Sequence, residues 1–102
     1  MANWIKLAPV SEVPPATAKE CVAEGRVIAI FNVNGTFYAL DGVCPHQGGP
    51  LGRGELGGCI VTCPWHGWQF DVRTGQHQFN TQIVQPHFPI RVEADWILVD
   101  LG

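Results

Sequence analysis

The chain is poor in charge, and it has no long apolar run. Charged residues make up 15% of its 102 positions, and the six Lys and Arg are scattered from Lys6 to Arg91 with no basic cluster. A nucleic-acid backbone or an anionic membrane needs a concentrated positive patch, so both are excluded as expected partners. The longest unbroken apolar stretch, Val27 to Phe31, is far below the ~20 residues a membrane helix requires. The N-terminal Met1-Ala2-Asn3-Trp4-Ile5-Lys6 shows no charged region followed by an apolar one, and no twin-arginine pair. A cytoplasmic protein is expected. Amphipathic helical periodicity is also lacking in any window longer than about two turns. The net charge is −3.

The chain is rich in turn formers and short apolar segments. Twelve Gly and eight Pro accompany 46% hydrophobic residues, a globular composition with many turns. The length is that of one domain, 1–102. Strands are predicted over Trp4–Leu7, Ala18–Ala23, Arg26–Asn32, Phe37–Asp41, Cys59–Thr62, Gln69–Val72, Phe88–Glu93 and Trp96–Asp100. Glu24-Gly25, Asn34-Gly35, Leu56-Gly57-Gly58, Arg73-Thr74-Gly75 and Ala94-Asp95 read as turns, and Asn-Gly is the strongest short hairpin signal. Ser11 to Pro15 is a turn because its prolines cannot donate ladder bonds. The result is an all-β sandwich or small barrel. Trp4, Phe31, Phe37, Trp96 and Ile97 are its scaffold residues.

Residues 42–68 differ from the rest, being dense in Gly, Pro, Cys, His and Trp. Two loops stand out, Cys44-Pro45-His46-Gln47-Gly48-Gly49-Pro50-Leu51 and Cys63-Pro64-Trp65-His66-Gly67-Trp68. Their pattern is C-x-H, sixteen residues, then C-x-x-H. Each loop offers one thiolate and one imidazole, a set that suits an iron–sulfur cluster or zinc. With no export signal, metal ligation accounts for these cysteines better than disulfides do. A structural zinc site remains the plain alternative, since two Cys and two His form an ordinary zinc set. Gly48, Gly49 and Gly67 favour a larger anionic group, because glycine lets backbone N–H groups close around it. Cys21 and Cys59 carry no motif and read as small buried residues in strands. His77 and His87 read as surface or loop-contact residues.

The paired loops resemble the signature of the Rieske family. The resemblance implies a [2Fe–2S] cluster, with Cys44 and Cys63 on one iron and His46 and His66 on the other. It implies a β core over 1–41 and 72–102 with a small cluster-binding subdomain, about 42–71, inserted in it. Asn80 to Pro86 resembles the family's proline-containing loop, which covers the cluster from a third side. The respiratory-complex type adds a disulfide at the positions of Gly49 and Trp65, hydroxyl donors at those of Trp68 and Phe70, and a membrane anchor. Here these are missing, and a potential near the low end of the Rieske range is expected, about −150 mV rather than +300 mV.

The chain is too short for an oxygenase large subunit, although Trp65-His66-Gly67-Trp68 is similar to oxygenase Rieske domains. It resembles a free-standing Rieske ferredoxin, a one-electron carrier and not an enzyme, passing electrons from a flavin-dependent reductase to a ring-hydroxylating oxygenase. The small Rieske-like subunit of assimilatory nitrite reductase is the alternative. Trp65, Trp68, Pro50, Leu51 and Pro86 would form an apolar rim; for Leu51 and Trp65 docking of redox partners is as well supported as packing.

Overall fold

The computed structural model describes residues 3–45, 48–65 and 67–102. Among these residues are ten strands in three sheets, and every pair of those strands is antiparallel. The first sheet joins β1 (Trp4–Pro9), β10 (Trp96–Asp100) and β9 (Ile90–Glu93) in that order. The second runs β2 (Thr17–Ala23), β3 (Arg26–Val33), β4 (Thr36–Asp41), β8 (His87–Phe88). The third, β5 (Glu55–Gly57), β6 (Ile60–Thr62) and β7 (Gln69–Asp71), is built from a single stretch of chain. Among the described residues, no helix is long and apolar enough to cross a membrane.

Three hairpins are closed by two-residue turns at Glu24-Gly25, Asn34-Gly35 and Ala94-Asp95, and all six residues have positive φ. Such turns match the right-handed twist of the flanking strands. Two of them carry glycine at the second position, which bears this conformation without strain. The local turn signals were therefore sufficient for these elements. Strand ends shift by a residue or two elsewhere, as at Trp4–Pro9, Ile60–Thr62 and Gln69–Asp71, and two differences are larger. Leu56 and Gly57 lie within β5, because the chain reverses one step later, at Gly58-Cys59. The last hairpin's first strand is divided at Pro89, which has no N–H to give: His87–Phe88 pairs with β4 and Ile90–Glu93 with β10.

The run Val27–Phe31 is continuous rather than alternating because β3 is covered on both faces. Ile28, Ala29, Ile30 and Phe31 are all fully buried. Ile28 and Ile30 pack with Val99 and Ile97 of the first sheet, while Ala29 and Phe31 pack with Leu40, Cys44, Leu51, Val61, Cys63 and Phe70. The second sheet is thus the middle layer, with the first sheet on one side and the two cysteine loops and third sheet on the other. Burying each of these large side chains contributes about 1.5–3 kcal/mol. Phe31 and Ile97 are core residues as expected, whereas Trp4 and Trp96 lie nearer the surface under cations, Arg91 at 4.1 Å and Lys6 at 5.1 Å from the ring centres.

Asn32 is one of few buried polar residues in this core. Its Nδ2 donates to Val13 O at 2.7 Å and its Oδ1 accepts from Gly35 N at 2.7 Å. It ties the Asn34-Gly35 turn to the segment before β2. Asn32→Ala leaves Val13 O and Gly35 N without these partners, and a loss of about 2 kcal/mol in unfolding free energy is expected. Chemical denaturation of the metal-loaded protein measures it.

Candidate metal centre

The two cysteine loops are closed in the same way. Cys44 N donates to Gly49 O at 2.8 Å, and Cys63 N donates to Trp68 O at 2.7 Å. Each bond spans five positions and makes the loop the tip of a hairpin. Beneath the first tip Val43 pairs with Pro50, and beneath the second Thr62 pairs with Gln69. In the first loop Gly48 N also donates to Cys44 O at 2.9 Å. Gly48 and Gly67 have φ of +75° and +74°, a left-handed backbone that glycine adopts without strain and that lets each loop turn sharply.

Gly49 is glycine for a different reason. An added Cβ would lie 2.6 Å from Cys63 Sγ and 3.0 Å from Trp65 Cβ. The sulfur of the second loop therefore rests against the backbone of the first. Positions 49 and 65, which carry the disulfide in the respiratory type by resemblance, face each other here as Gly and Trp. Cys44 and Cys63 are both 1% exposed and belong to one apolar cluster with Leu51, Phe70 and Val72. His46 and His66, the imidazole half of the pattern, lie outside the described residues. Among the described residues no group of three or more metal-ligating side chains occurs.

The surroundings correct several expectations. Leu51 is fully buried in the cluster and offers no docking surface, whereas Trp65 is half-exposed. Cys21 is buried on β2 as expected, and burial pushes its thiol up. Cys59 is in the turn after β5, only partly buried, and not in a strand. His77 is buried, not a surface residue. Its Nδ1 accepts from Phe79 N and Asn80 N, both at 3.0 Å, so the ring proton sits on Nε2. The ring stands nearly perpendicular to Trp68 and Phe70, with centres 4.6 and 5.2 Å away.

The fork of Arg73 grips the Asp71 carboxylate in the turn after β7, and that hydrogen bonding holds the carboxyl below its ordinary range. Gln85, in the stretch resembling the family's proline-containing loop, is buried and donates from its side chain to Asp41 O and Val43 O. No motif marks Gln85 or His77, and nothing in the sequence singled out either one's buried role.

Buried thiols from two loops sharing one apolar compartment, beside positive-φ glycines, fit a sulfur-bridged metal group. Gly49→Ala tests the compartment, since its Cβ must displace Cys63 Sγ or Trp65. Iron and acid-labile sulfide per chain should fall well below wild type while far-UV circular dichroism stays unchanged.

Comparison with known proteins agrees with this geometry. Residues 3–89 match the family described as Rieske [2Fe–2S] domain. The chain is 31% identical over 102 residues to the ferredoxin component of a naphthalene 1,2-dioxygenase system from Pseudomonas aeruginosa, covering 98% of this chain and 97% of the relative. It is 38% identical over 103 residues to a biphenyl dioxygenase ferredoxin subunit from Pseudomonas sp. (strain KKS102), covering 98% and 94%. The solved Sphingomonas yanoikuyae B1 ferredoxin superposes with a TM-score of 0.89 at 30% identity, over 98% of this chain and all of that one. With the fold, the loops and the family match in agreement, the chain belongs to the Rieske [2Fe–2S] domain family.

Proposed function

We propose that this protein is a one-electron carrier that takes electrons from a flavin-dependent reductase and delivers them to the terminal component of a ring-hydroxylating oxygenase. The observation that carries the reading is the pair of matched loop tips with buried cysteines. Its similarity over nearly the whole chain to ferredoxin components of dioxygenase systems supports the partner class. A cytoplasmic location, where such a partner set would be found, is part of the proposal.

Cys44 and Cys63 would hold one iron of the [2Fe–2S] cluster, and His46 and His66 the other, within a cluster-binding part of about 42–71. A cluster held by two thiolates and two imidazoles takes up and releases one electron at a higher potential than an all-cysteine one. The chain's own residues set the conditions. Leu51, Phe70 and Val72 keep the thiolate side dry, and the cysteine backbone bonds fix the loop tips. Trp65 and Val43, which flank the cysteines and are exposed, would supply the small apolar contact that a transient redox partner requires.

The experiment is the EPR spectrum after anaerobic dithionite reduction. A rhombic signal with a mean g value below that of all-cysteine [2Fe–2S] ferredoxins is expected. A colourless, EPR-silent protein containing zinc would replace the electron-transfer reading with a structural metal domain. Phe70 and Trp68 place no hydroxyl where the high-potential type has its donors. An O–H directed at a cluster sulfur stabilises the more negative reduced form. Phe70→Tyr and Trp68→Ser should therefore each raise the midpoint potential, read by EPR-monitored titration; an unchanged or lowered value would sink this account of the low potential.

A further inference from the structure

We propose that Gln85 is a positioning residue for the metal centre: its buried amide fixes the peptide unit from which Cys44 is presented. The inference rests on the assignment of Cys44 as a ligand. Gln85 is 3% exposed, and its Nε2 lies 2.8 Å from Asp41 O and 2.7 Å from Val43 O. A carboxamide nitrogen has two N–H groups, so both are engaged on the stem of the first ligand loop.

The Val43 carbonyl belongs to the same peptide plane as Cys44 N–H. That N–H donates to Gly49 O at 2.8 Å. The plane is therefore pinned at both ends, by Gln85 on oxygen and by the loop closure on nitrogen, and this orients the bond from Cys44 Cα to its side chain. The neighbouring peptides are held from other directions. Gly42 N donates to Val27 O at 2.8 Å, Leu51 N to Gly42 O at 3.0 Å, and Val43 N to Asp41 Oδ1 at 3.1 Å.

Gln85 is itself anchored independently of its side chain. Its N donates to Gly75 O at 2.7 Å, and next to it Pro86 O accepts from Asp41 N at 2.8 Å. Gly75, at φ +83°, permits this approach, because a Cβ there would lie 2.0 Å from Gln85 O. The chain distant in sequence thus delivers a rigidly based amide to the loop stem. An apolar side chain of the same length would fill the space but leave the plane of the Cys44 peptide held only through its nitrogen, with its carbonyl deprived of the Gln85 bond.

Loss of a group that orients a metal ligand typically costs about 10–100-fold in metal retention. In the reconstituted holoprotein, Gln85→Met should bleach about tenfold faster under an iron chelator. It should also show changed EPR g values and a shifted midpoint potential at temperatures well below unfolding. Gln85→Asn keeps an amide but is one carbon too short, and it should change the same quantities; it decides the matter if Gln85→Met does not fold. Asn32→Ala, which destabilises the fold away from the loop, should leave g values and potential at wild type.

Wild-type g values, potential and bleaching rate in the folded Gln85 variants would overturn the positioning role. A wild-type protein without the rhombic signal would instead overturn the ligand assignment beneath it.

Discussion

The arrangement depends on one backbone constraint, the hydrogen bond from each loop cysteine's N–H to the carbonyl five positions later, Cys44 to Gly49 and Cys63 to Trp68. The two motifs differ in ligand spacing, yet both are closed into hairpin tips of the same span. A sulfur on a freely moving loop would pay the full ordering entropy on binding metal; here the closures and the pairs beneath them have already removed much of that freedom. The rest of the molecule can be understood as support for these tips. The first is continuous with β4 through residues 42 and 43, and the second joins β6 to β7.

The same constraint explains why the middle sheet is apolar on both faces. The loops present Cys44 and Cys63 inward, against Ala29, Phe31 and Leu40. Ile28 and Ile30 must then serve the opposite layer. A strand with one solvated face could not do both, which is why Val27–Phe31 is an uninterrupted run rather than an alternating one. The layer order also means that Cys44 and Cys63 are walled by apolar side chains, so a metal group they hold, as proposed, would be dry on that side. Such a wall withholds the polar stabilisation that would favour the extra negative charge of the reduced state.

What could be read from the sequence was whatever depends on near neighbours. The Asn34-Gly35, Glu24-Gly25 and Ala94-Asp95 reversals are set by two residues each, and the cysteine motifs by short spacing. Leu56 reads as a turn residue in the sequence because Gly57 and Gly58 look equally able to reverse the chain, and only the cross-strand pairing of Leu56 with Val61 and Gly57 with Ile60 distinguishes them. Leu51 looked like a rim residue because it follows an exposed-looking loop, but its burial comes from packing with residues far along the chain. Gln85 was illegible for the same reason in stronger form: its partners lie 44 and 42 positions away.

His77 shows what such long-range placement costs and what it gives. Its Nδ1 is committed to two backbone N–H groups, those of Phe79 and Asn80. Its Nε2–H has no hydrogen-bond partner among the described residues, although the group is buried. An unmade bond of this kind costs about 1–3 kcal/mol when nothing offsets it. The ring's packing is part of what offsets it, since His77 stands nearly perpendicular to Trp68 and Phe70 with centres 4.6 and 5.2 Å away, within the range of favourable edge-to-face aromatic contact. A hydrocarbon ring at position 77 would avoid the penalty but could not accept the Phe79 and Asn80 amides. The histidine thus joins two elements: its Nδ1 holds the Phe79 and Asn80 amides, and its ring packs directly on Trp68, whose carbonyl closes the second cysteine loop.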